Sequence, residues 1–90
     1  MAFSYSDKNF TVVGNLCFVH IHLDGTETIF DIPPAIVDRM LFDDILCTYT
    51  YNDENRITNT SFAGIVSNKI ICSNAGTGYL SFYFPIDSNK

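Results

Sequence analysis

The sequence has 90 residues, of which 47% are hydrophobic and only 17% are charged, with a formal net charge of −5. This length predicts a single domain, and the hydrophobic content excludes a disordered chain, which would be less hydrophobic and more highly charged. The five basic residues are scattered along the chain, so we expect neither nucleic acid nor an anionic membrane as a partner, because both are bound through clusters of Lys and Arg.

We expect an N-terminal arm at residues 1–9 and one β domain at residues 10–90. Short stretches rich in β-branched and aromatic residues follow one another, separated by Gly, Pro and Asn. In chain order, the predicted strands are 11–13, 16–23, 28–32, 45–51, 61–67, 69–73 and 79–86. Strands of this length with regular turn signals predict an all-β fold, namely a small antiparallel β-sandwich or barrel of six or seven short strands.

The clearest strand is 16–23, because its side chains alternate strictly between two faces. Its apolar face consists of Cys17, Val19, Ile21 and Leu23. Its other face consists of Phe18, His20, His22 and Asp24. The turn signal at 24–26 predicts a hairpin in which 28–32 is the partner strand. Pro33 and Pro34 end that strand, and we expect a loop to follow, with at most a helical turn that begins at Pro34.

The C-terminal third has two further turn signals. Asn68 lies between two predicted strands and predicts a hairpin, and the glycine-rich segment 74–78 (NAGTG) predicts a second hairpin turn before the last strand. That last strand alternates, with Tyr79, Ser81 and Tyr83 opposite a core face of Leu80, Phe82, Phe84 and Ile86. The core residues predicted with most weight are Cys17, Val19, Ile21, Leu23, Phe82 and Phe84.

The three cysteines predict a reducing environment. Cys17, Cys47 and Cys72 are odd in number, widely spaced and each within an apolar run, so we expect free core thiols rather than a disulfide framework. No apolar run approaches the ~20 residues that span a bilayer, and the first residues lack the basic and apolar regions of a signal peptide. These features predict a soluble protein that no signal peptide exports.

No segment has the pattern of a catalytic or cofactor-binding motif. His20 and His22 share a strand face, but two imidazoles and Asp24 are too few for a closed zinc site, so we expect no metal there. The neighbouring acids at 43–44 and at 53–54 point in opposite directions on an extended chain. Since the sequence also lacks a nucleophile motif and a phosphate-binding loop, we expect no cofactor and no enzymatic activity.

Tyrosines supply most of the candidate binding residues. Tyr49 and Tyr51 share one predicted strand face, as do Tyr79 and Tyr83 on the last strand. A phenol ring can stack on the apolar face of a sugar while its hydroxyl forms a hydrogen bond, but tyrosine is also enriched in subunit interfaces. A small β domain with this much aromatic surface favours the subunit interface, and the sugar site is the alternative. The candidate ligand-binding residues are Tyr49, Tyr51, Tyr79, Tyr83, His20 and His22.

Two stretches resemble the C-terminal receptor-binding head of tailed-phage tail fibres and baseplate proteins. They are residues 10–33 (FTVVGNLCFVHIHLDGTETIFDIP) and residues 61–86 (SFAGIVSNKIICSNAGTGYLSFYFPI). The chain departs from that family at Asn68 and Lys69, where the family's hairpins carry Asn-Gly or Asp-Gly, and it lacks the Arg-Pro often found after the family's proline turn. The resemblance implies a homotrimer of the virion, assembled in the host cytoplasm, that binds a host-surface saccharide.

Three functions are compatible with these features. The leading one is a non-enzymatic phage receptor-binding module that recognises a host-surface saccharide as a trimer. The alternative is a structural virion protein for decoration or tail-tip assembly, without affinity for sugars, and the third is a small carbohydrate-active enzyme. Binding of a glycan distinguishes the first from the second, and loss of that glycan over time distinguishes the third.

Overall fold

A computed structural model describes residues 3–42 and 45–89 of the chain. The acids Asp43 and Asp44 lie outside the described residues. The elements, in chain order, are β1 (Phe10–Val13), β2 (Leu16–Asp24), β3 (Ile29–Asp31), α1 (Pro34–Val37), β4 (Ile45–Asn52), β5 (Thr58–Val66), β6 (Lys69–Cys72) and β7 (Thr77–Pro85). The helix α1 is four residues long. Within the described part of the chain, no helix is long and apolar enough to cross a membrane.

The seven strands form one antiparallel sheet in the order β1-β2-β7-β4-β5-β6-β3, which curls into a half-barrel. This confirms the predicted all-β fold of six or seven short strands. The sheet is continuous between β2 and β7 over nine residue pairs, whereas β4 and β7 share the single pair Asn52 and Thr77. The two halves of the sheet, one containing β2 and the other containing β5, are therefore joined by paired residues mainly at one end of β4 and β7.

The inner face of the curled sheet holds the hydrophobic core. Along β2 the burial alternates at every residue, as the sequence predicts, because one side of the strand faces the core and the other faces solvent. Five of the six predicted core residues are fully buried, and the sixth, Phe82, is only half-buried. The thiol of Cys17 belongs to this core, and burial raises its pKa to about 11.

The predicted hairpin between β2 and β3 is wrong. β7 pairs with β2 along its whole length on one edge, β1 pairs with Leu16–Val19 on the other edge, and β3 pairs instead with β6 at the far edge of the sheet. The chain turns away after β2 because the Asp24 carboxylate accepts hydrogen bonds from the backbone N–H groups of Thr26 and Glu27. Gly25, with φ of 95°, completes this turn in the left-handed region that favours glycine.

The predicted hairpin turn at 74–78 is also wrong. It connects β6 to β7, which are separated in the sheet by β4 and β5, so this segment crosses over the end of two strands. Gly76 makes the crossing possible, because a Cβ atom at this position would lie 2.2 Å from the Tyr51 ring. The segment 74–78 has the composition of a tight turn, but in the structure its backbone passes close to β4. Such a close approach also requires glycine.

Two local predictions are confirmed. β5 and β6 form a hairpin whose two turn residues, Ser67 and Asn68, have φ values of 51° and 65°, as a type I′ turn requires. The helical turn α1 begins at Pro34, where the missing N–H of proline costs no hydrogen bond.

The residues that precede β1 lie along its outer edge. The N–H of Val12 donates to the carbonyl oxygen of Tyr5 at 2.9 Å, and the N–H of Phe3 donates to the carbonyl oxygen of Ser88 at 2.8 Å. The guanidinium of Arg39 stacks 3.9 Å above the Phe3 ring. Residues 3–7 thus cover an edge strand whose backbone groups would otherwise be unpaired.

Candidate ligand-binding face

The longest strand pairing in the sheet brings most of the candidate residues together. In the β2–β7 register, Phe18 lies opposite Tyr83, His20 opposite Ser81, and His22 opposite Tyr79. All six side chains are exposed on the outer side of the sheet, because the same residues alternate with the buried core positions of β2 and β7. We call this surface the aromatic face; it consists of Phe18, His20, His22, Tyr79, Ser81 and Tyr83.

Five of these side chains are rings, and each ring lies close to another. The Tyr79 ring contacts both imidazoles, with its centroid 4.9 Å from that of His20 and 5.1 Å from that of His22. The Tyr79 and His20 rings are nearly parallel, with 12° between their planes. At the other end, the centroids of Phe18 and Tyr83 are 5.6 Å apart. Cross-strand pairs of this kind restrict ring motion and keep the face ordered before any ligand binds.

A hydrogen bond fixes one imidazole further. His20 Nδ1 and Ser81 Oγ are 2.6 Å apart, and the tautomer of the imidazole determines which atom donates. The ring therefore keeps its orientation on the sheet while it stacks on Tyr79. Its position resembles that of a supported binding group rather than that of a freely rotating surface side chain.

The aromatic face is accessible to a ligand. Tyr79 is 57% exposed and Tyr83 is 62% exposed, so both rings present large surfaces to solvent. Phe18, His20, Ser81 and Tyr83 line a shallow hollow of about 340 Å³ between the two strands. Flat apolar surfaces combined with hydroxyl and imidazole groups can stack on a sugar ring and form hydrogen bonds with its hydroxyls.

The two histidines do share a strand face, as the sequence predicts. Within residues 3–42 and 45–89, the structure contains no group of three or more His, Cys, Asp or Glu side chains that could hold a metal ion. The neighbours of the imidazoles on this face are Tyr79 and Ser81, whose oxygen atoms are poor substitutes for the ligands of a zinc site.

The other tyrosine pair does not join the aromatic face. Tyr49 is only 5% exposed on the inner side of β4, where its hydroxyl donates to the carbonyl oxygen of Asn74 at 2.7 Å and accepts from the Asn74 N–H at 3.1 Å. Burial raises the pKa of Tyr49. Tyr51 is half-buried against Gly76. The two residues predicted as ligand contacts hold the crossing segment in place, and Tyr49 has almost no surface left for a ligand.

The acids at 53–54 border a separate cleft of about 370 Å³ beside Gly76 and Thr77. The Asp53 carboxylate accepts hydrogen bonds from the N–H groups of Ile57 and Asn55, and these bonds lower its pKa. An acid with a lowered pKa that already satisfies a turn is poorly suited to proton transfer near neutral pH. Asp53 therefore acts as a structural acceptor in the β4–β5 connection.

The sequence does not predict Phe18 and Ser81 as ligand contacts, although both belong to the aromatic face. Alternation alone already places Phe18 beside His20 and His22, and Ser81 between two tyrosines. The missing information is that β2 and β7 are neighbours, which makes one surface from two separate strand faces.

The aromatic face is a surface that can stack on a ligand and form hydrogen bonds with it. This face contains rings, hydroxyls and imidazoles, and it contains neither Lys nor Arg. No protein-family model matches the chain, and no curated protein or solved structure matches it either.

Proposed function

We propose that the protein is a non-enzymatic module that recognises a saccharide through the aromatic face. The observation that carries this proposal is the exposed Tyr79 ring, which two imidazoles hold in place while more than half of its surface faces solvent. Exposure of an ordered aromatic ring costs free energy in water, and stacking against the apolar side of a sugar recovers it.

The dimensions of the aromatic face suit a short oligosaccharide. Tyr79 and Tyr83 are four residues apart on one strand face, which corresponds to roughly 13 Å at the rise of a β-strand. A ligand of that length would contact both tyrosines and the hollow between them, where His20 and Ser81 offer hydrogen bonds. The proposed ligand is therefore a chain of more than one sugar ring.

The charge of the protein favours an uncharged saccharide. The formal net charge is −5, and none of the basic residues lies in β2 or β7. An anionic sugar would meet a repulsive field with no Lys or Arg on the face to pair with its charge. Neutral sugars lack this penalty, and they depend on the stacking and hydrogen bonding that the face provides.

The biological setting is proposed on the resemblance to phage receptor-binding heads. In that setting the saccharide belongs to a host cell surface and the protein belongs to a virion. A structural virion protein without sugar affinity is the alternative, and it would leave the aromatic face without a ligand. A small carbohydrate-active enzyme is a third candidate, which would degrade the glycan that it binds.

The test begins with a glycan array and continues with calorimetry on a soluble oligosaccharide that the array identifies. Tyr79→Ala should weaken binding roughly tenfold or more, because the central ring of the face is lost. Phe62→Ala is the matched control: Phe62 is 56% exposed, much like Tyr79, but lies on β5. Its affinity for the oligosaccharide should equal that of the unmodified protein.

Two results would contradict the proposal. If no glycan binds, the structural alternative is favoured, and if both variants bind equally well, the ligand lies elsewhere. Nuclear magnetic resonance spectra of the oligosaccharide, recorded over a day with the protein present, should show no cleavage product. Accumulation of a product would favour the carbohydrate-active enzyme.

A further inference from the structure

A second hollow lies beside Tyr79, at the junction between the two halves of the sheet. β4 and β7 share only the pair Asn52 and Thr77, and the outer surface at this junction contains a hollow of about 330 Å³. We call it the polar hollow, because most of the side chains around it carry a hydroxyl or an amide. Its lining includes Thr50, Asn52, Thr58, Thr77, Gly78 and Tyr79.

Strand register explains the polar lining. Thr77 on β7 lies opposite Asn52 on β4, and Asn52 lies opposite Thr58 on β5, so one polar row crosses three strands. All three side chains occupy exposed positions of their strands. Tyr79 is two residues from Thr77 on the same side of β7. The polar hollow is therefore continuous with the aromatic face, and Tyr79 belongs to both.

One face of the Tyr79 ring is already covered. The His20 imidazole lies nearly parallel to this ring, with 4.9 Å between the centroids, so a sugar cannot stack on that side. Tyr79 is nevertheless 57% exposed, and it lines the polar hollow, whose described lining contains neither imidazole. The surface of the ring that is free for stacking therefore borders the polar hollow.

The polar hollow supplies hydrogen-bonding groups for sugar hydroxyls. The Thr58 hydroxyl donates to Asn52 Oδ1 at 2.8 Å, which orients the Asn52 amide, and the NH2 group of that amide has no partner within residues 3–42 and 45–89. The Thr77 hydroxyl is 3.5 Å from the carbonyl oxygen of Asn52, which is too long for a strong hydrogen bond. A sugar hydroxyl in the hollow can thus accept from the amide, and it can donate to or accept from the Thr77 hydroxyl.

Acidic side chains border the polar hollow and restrict the class of sugar that fits. Asp24 lies opposite Thr77 on β2. Asp53 and Glu54 lie in the neighbouring cleft of about 370 Å³, which also contains Asn52. Among the described residues, no Lys or Arg lines the hollow or the cleft. A carboxylate or sulfate on the sugar would be repelled without a basic partner, so the hollow suits a neutral sugar with free hydroxyls.

We propose that the polar hollow is a second sugar-binding subsite. It holds one ring of the saccharide by stacking on the free side of Tyr79 and by hydrogen bonds to Asn52 and Thr77. This inference rests on the proposed function, because it assigns a further part of the same ligand. The saccharide then lies along β7 from Tyr83 past Tyr79 to Thr77, a span of six residues or roughly 20 Å. Asn52 and Thr77 determine specificity, since they bind the hydroxyls of the ring that stacks on Tyr79.

Calorimetry on the full chain, with a neutral oligosaccharide that the glycan array identifies, tests the subsite. Thr77→Val nearly keeps the shape of the side chain but removes its hydroxyl. It should weaken binding about three- to tenfold, because one hydrogen bond to the ligand is lost. Thr60→Val is the matched control, since Thr60 is exposed on β5 but lies outside the lining of the polar hollow. Its affinity for the oligosaccharide should equal that of the unmodified protein.

A second pair of variants tests the amide. Asn52→Asp retains an oxygen that accepts from Thr58 but replaces the NH2 donor by a negative charge, so binding should weaken about tenfold or more. Asn55→Asp is the matched control, because it makes the same change of charge at an exposed position of the turn after β4. Thermal melting should show that all four variants remain folded, because each replaces an exposed side chain.

Deoxy derivatives of the oligosaccharide, each lacking one hydroxyl, identify the group that Thr77 binds. One derivative should bind the unmodified protein three- to tenfold more weakly than the parent sugar, and it should lose no further affinity for Thr77→Val. If Tyr79→Ala weakens binding but Thr77→Val and Asn52→Asp bind like their controls, the subsite is rejected and the proposed function stands. If no glycan binds the unmodified protein, the proposed function and the subsite are rejected together.

Discussion

Tyr79 and Tyr49 show how strand parity determines what a tyrosine can do. Tyr79 occupies an outward position of β7, so its ring faces solvent and lies against two imidazoles. Tyr49 occupies an inward position of β4, where its hydroxyl is used by the backbone of Asn74. The same side chain is therefore a candidate ligand contact in one strand and a support for the crossing segment in the other.

Two phenylalanines of β7 have the same parity and both point toward the core, but they differ in burial. Phe84 is 1% exposed, whereas Phe82 is half-buried. We expect Phe84→Ala to lower the free energy of unfolding by about 3–5 kcal/mol, and Phe82→Ala to lower it by about half as much, because less apolar surface returns to water. Urea denaturation of both variants measures the difference. Equal losses, or a smaller loss for Phe84→Ala, would contradict the observed placement of the two rings.

At the scale of elements, carboxylates hold two connections of the sheet. Asp24 accepts from the backbone N–H groups of Glu27 and Thr26 after β2, and Asp53 accepts from those of Ile57 and Asn55 after β4. These hydrogen bonds stabilise the charged carboxylates and lower the pKa of both residues. Each connection thus depends on a negative charge as well as on its turn geometry.

This dependence predicts acid sensitivity with a defined sign. Because the folded-state pKa values of Asp24 and Asp53 lie below their ordinary value, the stabilisation is complete above about pH 4 and disappears as the pH falls through the lowered values. Asn retains an oxygen that accepts the turn hydrogen bonds but does not titrate. The double variant Asp24→Asn and Asp53→Asn should therefore lose less stability between pH 6 and about pH 2.5 than the unmodified protein. Urea denaturation midpoints of both proteins at the two pH values measure the loss of stability. Equal losses in the double variant and in the unmodified protein would contradict this prediction.

The elements differ in how far local sequence determines them. Alternation in 16–23 and 79–86 predicts both faces of β2 and β7, and it groups His20 with His22 and Tyr79 with Tyr83. Local pattern cannot predict that these two strands pair, because they come from opposite parts of the chain and their pairing depends on tertiary packing. The β2–β3 hairpin is predicted incorrectly for the same reason, because local sequence does not determine which strands pair. The segment 74–78 is ambiguous because both a tight turn and a close backbone crossing require glycine.

At the scale of the whole molecule, the curled sheet has a filled inner side and two distinct outer surfaces. The aromatic face lies on the β2–β7 half, and the exposed side chains of Leu46, Phe62 and Val66 lie on the half built from β4, β5, β6 and β3. Tyrosine in a strand sequence is compatible with both a saccharide site and a subunit interface. The exposed tyrosines Tyr79 and Tyr83 lie on the first surface, beside two imidazoles and a hydroxyl, whereas the large exposed side chains of the second surface are aliphatic except for Phe62.

This separation predicts that a change on the β4–β5 half of the sheet, at Phe62, leaves saccharide binding intact. Phe62→Ser should leave the affinity for a soluble oligosaccharide unchanged, because Phe62 lies on β5 and no residue of the aromatic face is altered. Tyr79→Ala should bind the same oligosaccharide roughly tenfold or more weakly, because the central ring of the aromatic face is lost. Calorimetry on both variants measures the two affinities. An equal loss of affinity in both variants would contradict the placement of the saccharide on the aromatic face.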